Sequence, residues 1–311
     1  MPLFSAFDRL AAVTSADPAL LRAAAAVNRL PATVRDALHG VWLGHPLHPV
    51  VAQVPVGAWV SAAVLDGVAA LSPPGAARDG AERSATILLA TGLASVPAAA
   101  LPGAADWAQL HPEQQRVGAV HAATNAVATG LVVASLVQRA RGRHGAGRLL
   151  GLAGVAVAGL GAGMGGHLSY RFAAGANHAE DVPHRTDEHW SDVDRLELLP
   201  DGEPQRRMVG GTPVVVVRRG EGVSVLADAC SHLGGPLSDG SVTDDGCIVC
   251  PWHGSAFDLD DGSVRHGPAT APQPRFEVRI EDGLVTARVR RPEQEAGTGT
   301  RRLGEVTPTS P

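Results

Sequence analysis

Four stretches of the chain read as continuous apolar blocks. Residues 49–71 carry only Asp66 as a charge, and residues 84–105, 117–137 and 149–170 carry none. Each exceeds the ~18 to 20 residues that cross the hydrocarbon core of a bilayer. A soluble bundle would leave a polar stripe along each helix, and none of the four has one. The pattern predicts four transmembrane helices within residues 41–170. Ahead of them, residues 1–40 mix Asp8, Arg9, Asp17, Arg22, Arg29 and Arg35 with apolar positions at Leu20, Leu21, Ala24, Val27, Leu30 and Val34. That spacing predicts an amphipathic helical segment, lying at the membrane surface or packed on the bundle. After Tyr170 the texture changes. Residues 171–192 are polar and acidic and read as a linker. Over residues 193–290, short β-branched runs such as TPVVVVRR, GVSVLA, GCIVC, RFEVRI and LVTARV alternate with Gly, Asp and Pro turns, the grammar of a small all-β domain. Residues 291–311, rich in Pro, Gly, Thr, Arg and Glu, read as disordered. The expected fold class is α + β: a four-helix transmembrane bundle followed by a small all-β domain.

Composition agrees with this division. The 311 residues are 45% hydrophobic and only 18% charged, lean in charge for a soluble protein. A formal net charge of −5, with no basic cluster interleaved with aromatics, excludes a nucleic-acid partner as the expectation. All 26 basic residues are arginine, which together with the Ala and Gly excess reflects coding bias and says nothing of function. No cleavable signal peptide or twin-arginine pattern is visible.

All three cysteines fall in the window CSHLGGPLSDGSVTDDGCIVCPWHG, too few and too close for a disulfide framework. Metal ligation is the better premise. Cys230 and His232 end one predicted strand, Cys250 and His253 follow another, and 17 residues separate His232 from Cys250. Structural zinc sites usually group like ligands as C-x2-4-C and H-x3-5-H. Here each loop carries one thiol and one imidazole. That mixture suits a 2Fe-2S cluster with two thiolates on one iron and two imidazoles on the other; a zinc-stabilised binding module is the alternative. Cys247 lies an odd number of positions from Cys250, so on a strand it points to the other face and reads as a small buried hydrophobe.

The segment C-x-H followed by CPWHGSAFD resembles the Rieske 2Fe-2S family, over about residues 193–290. The resemblance implies that Cys230 and Cys250 hold the buried iron. His232 and His253 would hold the outer one, and Gly267-Pro268-Ala269 would form a third loop over the cluster. It also implies electron transfer. The quinol-oxidising members staple the two loops with an extra cysteine pair, where this chain has Gly235 and Trp252. Ser255, a donor to bridging sulfide in the family, is present, while the tyrosine expected two residues later is Phe257. Hydrogen bonds to cluster sulfur raise the potential, so the missing hydroxyl implies a value below the upper end of the ~−150 to +300 mV Rieske range. A complete Rieske oxygenase is not expected, because such enzymes need a further catalytic domain with its own iron site.

Histidines also mark the bundle. Four spans return the chain to its starting side, so His45, His48, Asp106, His121, Asn125 and His167 share one end. HPLHP, ADW, HAATN and GGHLSYRFAAGANH resemble a bacterial four-helix membrane domain of unknown function, over about residues 36–178. This resemblance implies topology but no chemistry. The histidines either cap helices and bond across the bundle, or form a haem or quinone site, with His121 and His167 as the expected haem ligands. Arginines in the loops 72–83 and 138–148 favour placing the β-domain outside. The need to load iron and sulfide, with no export signal for a folded domain, favours the cytoplasmic side, which is the expectation adopted. The whole reads as an integral membrane one-electron carrier with unknown donor and acceptor. A redox-sensing membrane protein is the second alternative.

Overall fold

The computed structural model describes residues 5–12 and 17–290, and the tail expected to be disordered lies outside them. The chain divides into two units, Met1–Ala176 with His266–Ala271, and Asn177–Arg265 with Pro272–Pro311. The architecture is α + β.

The first unit is helical. Three short helices, α1 (Ser5–Ala11), α2 (Pro18–Asn28) and α3 (Ala32–His39), precede the single-turn α4 (Leu47–Val51) and the long α5 (Gln53–Leu71). Three more long helices follow: α6 (Ala76–Ala108), α7 (Pro112–Ala140) and α8 (His144–Arg171). The starts follow sequence chemistry. Asp17 caps α2 by accepting from the Ala19 N–H at 2.8 Å, with Pro18 in the first turn, where its missing N–H costs nothing. His111 and Gln114 cap α7 reciprocally.

Four helical runs, Leu47–Leu71 and α6 to α8, are long and apolar enough to cross a membrane. Their facing surfaces are made of small residues, with Ala62, Ala85 and Ala128 around Trp59, Leu89 and Val132. Small side chains let backbones approach where no water drives association. Large apolar side chains such as Val64, Ile87, Leu101 and Leu149 point outward, as lipid contact requires. The amphipathic N-terminal segment packs on this bundle, α1 against α7 and both α2 and α3 against α6. Arg116 donates to the Ala11 carbonyl at 2.7 Å and Gln109 to Asn28 at 2.6 Å.

Asp66, the one charge in the first apolar block, is paired with Arg139, and the two side chains are 2% and 1% exposed. Ser135 accepts from the same guanidinium and donates to the Gly147 carbonyl at 2.6 Å. Breaking a buried pair strands the surviving charge and costs roughly 3–5 kcal/mol, more than removing both partners together. Asp66→Leu is therefore expected to lower the detergent-solution melting temperature more than the double change Asp66→Leu, Arg139→Met. A double variant that loses as much as Asp66→Leu and Arg139→Met together would show that the pair is not coupled.

The second unit holds three antiparallel sheets. β1 (Ser191–Arg195), β10 (Leu284–Val289) and β9 (Phe276–Glu281) form one, in that order. β2 (Pro204–Val209), β3 (Thr212–Arg219) and β4 (Gly222–Ala227) form the second. The third runs β5 (Ser241–Val242), β6 (Cys247–Val249), β7 (Ala256–Asp258), β8 (Val264–His266). Val209, Val214, Val216, Val225 and Val285 supply the core between the first two sheets. The acidic stretch read as a linker takes part in this unit. It forms a single turn, α9 (Val182–Arg185), whose Val182 is in the core, and Thr186 is buried against the Thr212 hydroxyl at 2.7 Å. Charge density concealed four buried positions, Ala179, Val182, Pro183 and Thr186, among polar neighbours.

Candidate iron-sulfur centre

Two loops of the second unit carry the four residues singled out from sequence, and they are built alike. The first leaves β4 and the second leaves β6. In the first, the Cys230 N–H donates to the Gly235 carbonyl at 2.9 Å and the Gly234 N–H returns to the Cys230 carbonyl at 2.8 Å. In the second, the Cys250 N–H donates to the Ser255 carbonyl at 2.8 Å and the Gly254 N–H returns to Cys250 at 3.1 Å. Each loop turns back through a residue in the left-handed region, Gly234 at φ 75° and Gly254 at φ 77°, which glycine adopts without penalty. Both cysteines are thereby held at the base of a tight turn.

Cys230 and Cys250 are 1% and 3% exposed, and their sulfurs lie within hydrogen-bonding reach of each other. The Cys230 thiol is pushed up by its hydrogen bond with Cys250 and by burial, while Cys250 is drawn down to about 6 by the same bond. Backbone N–H groups aim at both sulfurs, from His232 and Leu233 at Cys230 and from Trp252 and His253 at Cys250. A cradle of amides around two buried sulfurs favours thiolate, the form that binds metal. His232 and His253 are half-buried, ring centroids 5.0 Å apart and edge to face. The sulfurs are thus buried more deeply than the imidazoles. This is the distribution that a two-iron cluster with unlike ends requires.

The surroundings fit that donor set. A Cβ on Gly235 would stand 2.9 Å from the Trp252 ring and 3.0 Å from the Cys250 sulfur, so the two positions named for the missing staple do face each other. Here an indole on a glycine takes the place of a covalent link. Ser255 and Phe257 are both fully buried. Cys247 is buried on β6, its backbone tied to the Thr243 hydroxyl at 3.1 Å, and burial pushes its thiol up; it is a packing residue. Pro268 follows a cis peptide bond.

Two further residues brace the loops and carried no signal in the sequence. Gln273, 2% exposed, accepts from the Ser231 N–H at 3.0 Å and donates to the Ala227 and Ala229 carbonyls at 2.8 and 2.6 Å. Asp228 accepts from the Ser238 N–H at 2.8 Å and pairs with Arg206 at 3.2 Å. A glutamine between two prolines reads as a turn, and only its three long-range partners reveal its role.

The bundle histidines fall into separate groups. His48 and His121 meet edge to face with ring centroids 6.4 Å apart, and Asn125 lies against His121. His167 packs between Phe7 and Phe172 and reaches Asp8 at 3.4 Å. His45 contacts its neighbour's carbonyl, Pro46 O, at 3.1 Å. Asp106 is taken by the buried His39 at 2.8 Å, a partner not singled out from sequence. The structure thus brings His48, not His167, against His121.

Comparison with known proteins bears on both units. Residues 189–277 match the model of the Rieske [2Fe-2S] domain, and residues 44–178 match a predicted membrane protein family, DUF2231. Among curated proteins, the ferredoxin subunit of anthranilate 1,2-dioxygenase from Burkholderia cepacia is 34% identical over 100 residues, 32% of this chain and 92% of that protein. Ferredoxin CarAc of Metapseudomonas resinovorans is 38% identical over 77 residues, 25% of this chain and 71% of that protein. Among solved structures, the ferredoxin of carbazole 1,9a-dioxygenase from Nocardioides aromaticivorans IC177 is 27% identical, covers 32% of this chain and 98% of its own, and has a TM-score of 0.32. By its C-terminal unit the chain belongs to the Rieske 2Fe-2S family of electron-transfer proteins, and that unit is joined to a predicted four-helix membrane domain.

Gln273→Ala removes one acceptor and two donor contacts from buried backbone at once and is expected to cost about 1–3 kcal/mol. The check is the denaturation midpoint of the loaded protein, with faster cluster loss on heating. Gly235→Val places a branched side chain against the Trp252 ring and the Cys250 sulfur. It is expected to cut iron content per chain several-fold, measured by elemental analysis.

Proposed function

We propose that this protein is a membrane-anchored one-electron carrier in which Cys230 and Cys250 hold the inner iron of a Rieske 2Fe-2S cluster, and His232 and His253 the outer iron. The observation that carries this reading is the donor set on two alike, braced loops: two buried thiols cradled by amides, and two half-buried imidazoles whose rings meet edge to face. When bound, such a cluster supplies a one-electron couple without making or breaking a bond in a substrate. The chain's own residues keep water from the sulfurs, fix the loop geometry through Gln273 and Asp228, and present the imidazole edge to a redox partner.

Donor and acceptor are proposed to be separate oxidoreductases or a membrane redox partner. The first is in keeping with relatives that are ferredoxin subunits of dioxygenases. The bundle anchors the carrier in the bilayer. The Rieske unit is proposed to face the cytoplasm, where iron and sulfide are inserted.

Purified full-length protein is expected to carry two cluster irons per chain and, once reduced, the anisotropic EPR signal of a mixed-ligand cluster. His253→Ala should abolish that signal, and an unchanged spectrum would end the assignment. With no hydroxyl at Phe257 and no covalent staple at Gly235 and Trp252, the midpoint potential is expected below the upper part of the ~−150 to +300 mV range. A redox titration of the reduced-state EPR signal measures it.

A further inference from the structure

The four long helices repeat one design twice. His48, Gly57, Trp59, Val60 and Asp66 on the first helical run correspond to His121, Gly130, Val132, Val133 and Arg139 on α7, at a constant step of 73 residues. On the return helices, Gly92, Ala99 and Gly103 of α6 correspond to Gly154, Gly161 and Gly165 of α8 at a constant step of 62 residues. The contacts repeat as well. His48 Nδ1 lies 2.8 Å from the Ala99 carbonyl, and His121 Nδ1 lies 2.8 Å from the Gly161 carbonyl. Each imidazole rests over the glycine four residues further on: a Cβ on Gly103 would stand 2.8 Å from His48 Nδ1, and one on Gly165 would stand 3.4 Å from His121 Cε1. About three turns further along, Trp59 covers Gly92 and Val132 covers Gly154.

The bundle is therefore two similar hairpins, α5 with α6 and α7 with α8, each packed more extensively within itself than against the other. Because α5 touches α6 and α8 while α7 touches α8 and α6, α5 and α7 face each other across the middle. Two equivalent pairs meet there, His48 with His121 near one end and Asp66 with Arg139 near the other. A pseudo-twofold axis along the bundle passes between the members of each pair.

Both imidazoles at that axis are set up in the same way. A carbonyl can only accept, so each Nδ1 carries the proton and each Nε2 keeps its lone pair. This is the arrangement that orients metal-bound histidines, with the far ring nitrogen donating to a backbone carbonyl. Asn125 does not consume the lone pair of His121. Its amide nitrogen is 3.4 Å from Nδ1 and 3.2 Å from Nε2, nearly equidistant, and so lies off the in-plane direction of either, while it also donates to the His121 carbonyl at 3.0 Å. Two imidazoles on one metal atom, with bonds of about 2.0 Å, hold their ring centroids about 6 Å apart; here they are 6.4 Å apart.

We propose that His48 and His121 are the paired ligands of a transition-metal centre on this axis, distinct from the Rieske cluster. Among the described residues no thiol or carboxylate joins the two imidazoles, which disfavours zinc and its four protein ligands. Two neutral imidazoles suit a late first-row metal satisfied by two protein ligands, either haem iron, whose macrocycle fills the remaining positions, or a copper ion. The weaker packing between hairpins is where such a group would be held.

The test uses the full-length protein, expressed with haem precursor and copper present and purified in detergent. Haem is measured by pyridine haemochrome absorbance and copper by elemental analysis. One haem or one copper per chain is expected. His48→Gln and His121→Gln should each lower it at least tenfold, while His45→Gln and His167→Gln leave it unchanged. The Rieske EPR signal serves as the folding control and should persist in all four variants. Absence of both haem and copper from wild-type protein with an intact cluster signal would overturn the proposal. So would retention of the metal in both the His48 and His121 variants.

Discussion

A polar group taken out of water must find its partner inside the protein, and both units of this chain are organised by that requirement. In the helical unit, buried Asp66 has Arg139, and each of two imidazoles has a backbone carbonyl on the returning helix of its own hairpin. In the β unit, two buried sulfurs have amides, and the loops that carry them are closed by their own backbone and by Gln273. None of these groups can be released singly without leaving a costly remainder.

The same constraint separates the two kinds of histidine. His232 and His253 are half-buried, on loops whose geometry is set by other residues. Ligand placement there depends on rigid turns, and the glycines at Gly234, Gly235 and Gly254 are what the turns and the indole of Trp252 demand. His48 and His121 are placed by helix packing. Glycine again makes the room, but along a helix face and not in a turn. Cluster loop and membrane helix thus solve a positioning problem with the same residue for different steric reasons.

Much of this was legible in the chain alone. Four apolar blocks, three of them free of charge, announced apolar helices because a membrane tolerates no polar stripe, and all four are present with ends no more than eight residues from those expected. The alternation of one cysteine with one histidine on each loop announced the donor set, since like ligands are not grouped as in zinc sites. What stayed hidden was every role that depends on a distant partner. Asp66 looked like a lone charge in an apolar block until Arg139 met it, and Val182 looked like linker among acidic residues until it entered the β core. His167 was the expected partner of His121 and His48 takes that place, because sequence assigns an end of the bundle but not an azimuth.

The sequence by itself determined which residues are apolar enough to span, how thiols and imidazoles are spaced on the two loops, and where the all-β grammar begins. Those are properties of composition and short spacing. The tertiary structure decided which polar residues pair across the bundle, that two hairpins share one design, and that Gln273 braces the cysteine loops. Those are properties of contacts between residues far apart in the chain, and only closing the helices and sheets brings such residues within a few ångströms.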